Sequence, residues 1–205
     1  MRLFVALDID EAIRERIRGF INELRALAPN VRWVSTESLH ITLKFIGEQP
    51  EPKLGAIEAA LAKVSTPSVR ISFRGCGFFP NAKSPRVFWM GVEAGTELAQ
   101  LAKQIEEALA ALGIEKEKRG FSPHLTLARA GGGSGAPGRQ KGDRPNQSFA
   151  AVQRRLSEML APEFGTMTTR EFFLYQSQLT SQGSRYTKMA RFALSAQEAW
   201  THIPF

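Results

Sequence analysis

Apolar side chains recur at the three-to-four spacing of a buried helical stripe in four segments of the chain. The first follows Asp10, placed as an N-cap, with Ile13, Ile17, Phe20, Ile21, Leu24 and Leu27 on one side and Pro29-Asn30 as its close. The second carries Leu54, Ile57, Leu61 and Val64. The third follows Thr96 with Leu98, Leu101, Ile105, Leu109 and Leu112, and Gly113 is a suitable C-terminal stop. The fourth shows Phe149, Val152, Leu156 and Met159 behind the candidate caps Asn146 and Ser148. Strand-like runs fill the gaps at 3–9, 31–34, 39–46, 69–78, 86–93, 124–130, 168–178 and 185–194, several of them separated by turn-rich pieces such as Pro80-Asn81-Ala82-Lys83-Ser84-Pro85. Strands neither alternate strictly with helices nor form one block. The expected fold is therefore α+β, with largely antiparallel sheets flanked by helices.

One phrase occurs twice. Ser38-Leu39-His40-Ile41-Thr42-Leu43 returns 84 residues later as Ser122-Pro123-His124-Leu125-Thr126-Leu127. Both copies alternate apolar with polar, so each reads as a strand with its His and Thr on one face. A threonine two residues after a given histidine arises by chance roughly one time in twenty, and two such events roughly one in four hundred. With one copy in each half, the repeat implies two lobes with approximate two-fold symmetry. A central cleft between them would carry one His-x-Thr-x phrase from each side, in a single bilobal domain spanning 1–205.

Composition and charge bound this picture. The chain has 205 residues, 43% of them hydrophobic, which is ordinary for a globular protein with a sizeable core. No apolar run reaches the roughly 18 residues a membrane helix needs, and the start Met1-Arg2-Leu3-Phe4-Val5-Ala6-Leu7-Asp8 turns acidic too soon for a secretory signal. A single Cys76 can form no internal disulfide, and a reducing, cytoplasmic setting is the plain expectation. The net charge of +7 points to a polyanionic partner, with basic residues collected at Arg139, Lys141, Arg144, Arg154 and Arg155. Residues 131–147 form the one loose stretch. Within it Gly133-Ser134-Gly135-Ala136-Pro137-Gly138 matches a dinucleotide fingerprint, but the polar, Gly- and Pro-broken segment after it lacks the required apolar helix face.

Other readings of the two histidines are weaker. As metal ligands they lack a Cys cluster or a His-Glu-x-x-His phrase to complete a site, so neither a metal nor any other cofactor is expected. His202, in the C-terminal Trp200-Thr201-His202-Ile203-Pro204-Phe205, lacks the phrase and reads as a tail residue.

The two tetrads His40-Ile41-Thr42-Leu43 and His124-Leu125-Thr126-Leu127 resemble the signatures of the two-histidine (2H) phosphoesterase superfamily. Within it, the chain is similar to the RNA 2′,3′-cyclic phosphodiesterases, the group historically named 2′-5′ RNA ligases. The resemblance extends to Arg2-Leu3-Phe4-Val5-Ala6, Trp33-Val34, Lys44-Phe45-Ile46-Gly47-Glu48, Ser177-Gln178-Leu179, Gly183 and Tyr186. It implies metal-independent opening of the cyclic phosphate at an RNA end to a 2′-phosphomonoester, with His40 as proton donor and His124 as proton acceptor. From the residues alone the two roles are interchangeable. ATP-independent 2′-5′ ligation in the same site, a small cyclic nucleotide or 2′-5′ oligoadenylate as substrate, and a non-enzymatic RNA-binding module are the alternatives. The sequence carries no handle on oligomeric state, and a monomer is the default expectation.

Histidine suits both proton transfers because its ordinary pKa lies near 6.5. Thr42 and Thr126 share their histidines' faces and can donate to the non-bridging phosphate oxygens. Phe45 and Arg129 both follow their histidine by five residues. The resemblance implies a base-stacking role for Phe45 and a phosphate or ribose contact for Arg129, with Tyr186 a further candidate. Strict strand alternation places Phe45 and Arg129 on the face opposite the histidines; a bulge or a twist at the strand end would reconcile the two.

Overall fold

The structure, a computed structural model, describes residues 1–131, 147–180 and 183–195. The Gly-rich fingerprint, Arg139, Lys141, Arg144, Asn146 and His202 lie outside the described residues. In chain order the elements are β1 (Arg2–Leu7), α1 (Glu11–Arg25), β2 (Val31–Trp33), β3 (Ile41–Glu48), α2 (Leu54–Leu61), β4 (Val69–Phe79), β5 (Val87–Ala94), α3 (Thr96–Ala110), β6 (His124–Ala130), α4 (Ala150–Ser157), β7 (Glu163–Thr169), β8 (Glu171–Thr180) and β9 (Gly183–Ala193). Short 3-10 turns precede β3 and α2. The strands form a four-stranded sheet in the order β3-β1-β8-β9 and a five-stranded sheet in the order β2-β6-β5-β4-β7. Every pairing between named strands is antiparallel, as an α+β fold of this kind requires.

The internal symmetry is visible in the order of elements. The run β1-α1-β3-α2 is matched by β5-α3-β6-α4. The two leading helices have 15 residues each and the two trailing helices 8 each. The lobes are not the two halves of the chain, however. The C-terminal β8 and β9 return to the first sheet, and β2, from the first half, crosses to pair with β6 in the second.

A single cluster of buried apolar side chains covers one face of both sheets. It takes in Val5, Leu7, Ile41 and Leu43 from the first sheet and Phe73, Phe88, Leu125 and Leu127 from the second. Helix α1 contributes Ile13, Ile17, Phe20, Ile21 and Leu24, with Phe20 edge-on to Phe164 of β7 at 5.1 Å. Leu27, expected on this stripe, lies past the helix end and is 39% exposed. Asp10 occupies the N-cap position of α1 but makes no side-chain cap bond. Gly113 has φ +76°, the left-handed geometry that ends a helix without a Cβ penalty. The turn between β4 and β5 is held by Asn81, whose Oδ1 accepts from the Lys83 and Ser84 amides at 3.0 Å.

One expected strand is two. The run 168–178 contains a break at Arg170, and β7 lies before it. The buried residues of β7 are Phe164, Met167 and Thr169, a spacing of three and then two. A register shift at Phe164, beside Gly165 with φ +107°, breaks the period of two, and this masks the strand in the sequence.

Candidate active site

Each histidine is oriented by its own phrase. His40 follows the 3-10 turn Thr36–Ser38 directly before β3, and His124 opens β6. In both, ring Nδ1 lies against the carbonyl oxygen two residues earlier: Ser38 at 2.7 Å and Ser122 at 2.9 Å. A carbonyl only accepts, so Nδ1 is the donor in each case, and Nε2 is left for chemistry. The repeated serine thus contributes its backbone to the arrangement.

The question of which face Phe45 and Arg129 occupy is resolved by two matching bulges. In the β1–β3 ladder Val5 pairs with Lys44 and Ala6 with Thr42, so Leu43 is the extra residue. In the β5–β6 ladder Phe88 pairs with Ala128 and Trp89 with Thr126, so Leu127 is the extra residue. Both lie three residues after a histidine. Each bulge shifts the alternation by one, so that Leu43 and Lys44 both turn inward, as do Leu127 and Ala128. Beyond it, Phe45 and Arg129 return to the face that carries Thr42 and Thr126. Phe45 stands directly opposite Phe4 on β1, and Arg129 opposite Val87 on β5.

The site face of the first sheet holds a small aromatic cluster of its own, Phe4, Ala6, Phe173 and Tyr175 with Tyr186 packed against it. The His40 ring sits over this cluster, 4.8 Å from Phe4, 5.1 Å edge-on to Tyr186 and 6.2 Å from Tyr175. His124 is supported more sparsely, edge-on to Phe79 at 5.0 Å, with Phe79 stacked on Trp89. Sequence reasoning missed Phe4, Tyr175, Phe79 and Trp89; each lies on a strand other than the two motif strands, and only the sheet order makes it a neighbour. Gly91 stands opposite His124, and a Cβ there would collide with the Arg74 carbonyl oxygen, so this place in β5 admits no side chain.

The two motif strands lie against each other although they belong to different sheets. The Val34 amide donates to the Leu127 carbonyl at 2.8 Å, tying the approach to the first motif onto the second. Arg129 is close enough to His40 for its charge to oppose protonation of the imidazole. Phe45 is 57% exposed and borders a shallow groove whose other wall is formed by residues 115–119, including Lys116, Lys118 and Arg119. Among the described residues no three His, Cys, Asp or Glu side chains are grouped as a bound metal ion would require. Burial pushes the Cys76 thiol up to about 12, which leaves it unreactive. No helix among the described residues is long and apolar enough to cross a membrane.

Burial lowers the pKa of His40; the Ser38 hydrogen bond and the Asp8 charge oppose the shift, and Arg129 and Arg14 add to it. Asp8 itself is raised by burial but held below the carboxylate range overall, by Lys188 at 2.6 Å, the Ile9 amide and Arg14 at 2.8 Å. The consequence for stability has a definite sign. With the folded-state pKa of His40 below its unfolded value, the unfolded chain takes the proton first as pH falls. The contribution of neutral His40 is complete above about pH 6.5 and is lost as pH falls below it, through the lowered folded-state pKa. In urea titrations between pH 8 and pH 5, His40→Gln should lose less stability on acidification than the wild type; equal losses would refute the assignment.

The sequence profile of the family described as LigT like phosphoesterase matches residues 7–89 and again 91–186, one His-x-Thr phrase in each match. An Archaeoglobus fulgidus protein named RNA 2′,3′-cyclic phosphodiesterase is 41% identical over 94% of this chain and 99% of its own length. The crystal structure of TT0787 of Thermus thermophilus superposes with a TM-score of 0.75 at 27% identity, covering 96% of this chain and all of that one (100%). The structure of E. coli LigT complexed with 3′-AMP does so with a TM-score of 0.72 at 28% identity, covering 95% and 98%. The doubled motif, the doubled bulge and the doubled profile match describe one repeated unit, and with it the chain belongs to the LigT-like phosphoesterase family.

Proposed function

We propose that the chain hydrolyses the 2′,3′-cyclic phosphate at an RNA end to a 2′-phosphomonoester by two-histidine acid–base catalysis, without a metal. The observation that carries this reading is the pair of imidazoles, each with Nδ1 occupied by a carbonyl and Nε2 without a hydrogen bond among the described residues, with a threonine hydroxyl two residues on. The substrate is supported by the name RNA 2′,3′-cyclic phosphodiesterase that the curated relatives carry. Water attacks phosphorus and passes its proton to Nε2 of His124, forming the new P–O bond. The P–O3′ bond breaks, and Nε2–H of His40 protonates the departing ribose oxygen. Thr42 and Thr126 donate to the non-bridging oxygens as charge builds there. Arg129 meets the phosphate, and the exposed Phe45 stacks on a base.

His40 must arrive as an imidazolium to act as donor. Burial disfavours that form in the free protein, and the negative charge of the bound phosphodiester favours it. Both motifs come from one chain, so a single bilobal domain is a complete working unit and a monomer suffices. The test is incubation with EDTA and an oligoribonucleotide ending in a 2′,3′-cyclic phosphate, with the product ends identified. A 2′-phosphate product is expected. A 3′-phosphate, or activity abolished by EDTA and restored by a metal, would refute the reading.

A further inference from the structure

The second sheet sets two arginines side by side on the site face. Arg32 of β2 is the register partner of Arg129 of β6. Residues directly opposite in an antiparallel pair have Cβ atoms roughly 5 Å apart, and like charges there are destabilising. Both side chains are exposed, and neither makes an ion pair among the described residues. Although Arg129 reaches solvent, partial desolvation of its guanidinium lowers its pKa; Tyr186 opposes the shift and Arg32 adds to it, so the two guanidiniums do feel each other.

The position of Arg32 is held firmly. It lies on a three-residue strand between buried Val31 and half-buried Trp33, whose indole donates to the Ala28 carbonyl at 3.2 Å and meets Phe88 edge-on at 6.1 Å. Among the described residues the β2 strand has no counterpart in the other lobe, so it adds a cation to the second motif that symmetry does not supply. Arg129 lies within electrostatic reach of His40 and Tyr186; Arg32 stands one strand, about 4.8 Å, further out.

We propose that Arg32, paired with Arg129, forms a second phosphate subsite that takes the first internucleotide phosphate on the 5′ side of the reacting end of single-stranded RNA. The proposal rests on the RNA reading above. Guanidinium groups bind phosphodiesters through paired, charge-assisted hydrogen bonds, and a bound phosphate turns the like-charge repulsion of the free protein into attraction. Arg129 then serves the reacting phosphate and Arg32 the next one, and this makes a polymer a better substrate than a cyclic mononucleotide.

The experiment compares wild type, Arg32→Gln and Arg32→Lys on a nucleoside 2′,3′-cyclic phosphate and on a dinucleotide with the same cyclic end. Arg32→Gln should lower kcat/KM on the dinucleotide about tenfold, mainly through KM, and leave the mononucleotide unchanged. Arg32→Lys should recover part of the loss. Affinity for a single-stranded oligonucleotide bearing a 2′-phosphate, followed by fluorescence anisotropy, should show a salt slope smaller by about 0.7 in Arg32→Gln. Equal losses on both substrates, no loss on either, or a lowered urea midpoint in Arg32→Gln would overturn the subsite. Binding that depends on Arg32 in a protein that turns over neither substrate would uphold the subsite and overturn the hydrolase reading instead.

Discussion

Replacing either His40 or His124 with alanine should lower turnover of a cyclic-phosphate RNA end by about two to four orders of magnitude. Affinity for the same RNA should stay within a few fold, because the His40 imidazolium is one charged phosphate contact beside the guanidinium of Arg129, and neutral His124 supplies none. The two variants should separate on a diester whose leaving group is p-nitrophenolate. That group departs without a proton, so the general acid becomes dispensable while the base does not. If His40 is the donor, His40→Ala recovers most of its activity on the activated diester and His124→Ala does not. The reverse pattern would exchange the two assignments, and loss of RNA binding in parallel with turnover would sink the acid–base account. The experiment is needed because the two local geometries are near-identical: the same Nδ1-to-carbonyl bond, the same threonine, the same bulge. What differs is the surroundings, an aromatic cluster with Asp8 and Arg129 nearby for His40 and a sparser setting for His124.

Glu106→Ala should destabilise the fold by about 3 kcal/mol, while Lys44→Met should be close to neutral. Lys44 is 2% exposed on the core side of β3, and its ammonium donates at 2.7 Å to both Glu106 Oε1 and the Glu115 carbonyl. The Glu117 amide donates to the same carboxylate oxygen at 2.6 Å. Removing Glu106 strips a buried cation of its counter-charge and frees the segment that leads into the second motif. Removing the cation leaves a carboxylate that is 27% exposed and still holds the Glu117 amide, with methionine filling the volume of the lysine stem. Urea midpoints of the two variants decide the matter, and equal destabilisation would contradict it. The bulge at Leu43 is what turns Lys44 inward, so the same irregularity that returns Phe45 to the site face creates this buried charge.

Much of the site was legible because a repeated hexapeptide with period-two alternation needs no tertiary information to be read. The alternation sets His40 with Thr42, and His124 with Thr126, on one strand face, and all four are half-buried in the structure. Phe45 and Arg129 were ambiguous for a definite reason. A bulge exists only between two strands, and a single strand's sequence does not reveal that Leu43 and Leu127 lack partners. The same limit hid β7, where the shift at Phe164 disguises the alternation. Arg32 carried no signal at all, since one arginine in an alternating run reads as solvated surface until β2 is seen to pair with β6.

By itself the sequence determined every element but β7, the chemical groups and the doubling, since each follows from side-chain type and spacing along one chain. The tertiary structure alone decided which groups meet. Strand order carries β2 into the second sheet and β8 and β9 back to the first. Register opposes Arg32 to Arg129 and Phe4 to Phe45, and burial gives two chemically equal histidines different surroundings. These are relations between segments far apart in the chain. They arise from the closing of one apolar core over both sheets, a condition that no local pattern of residues contains.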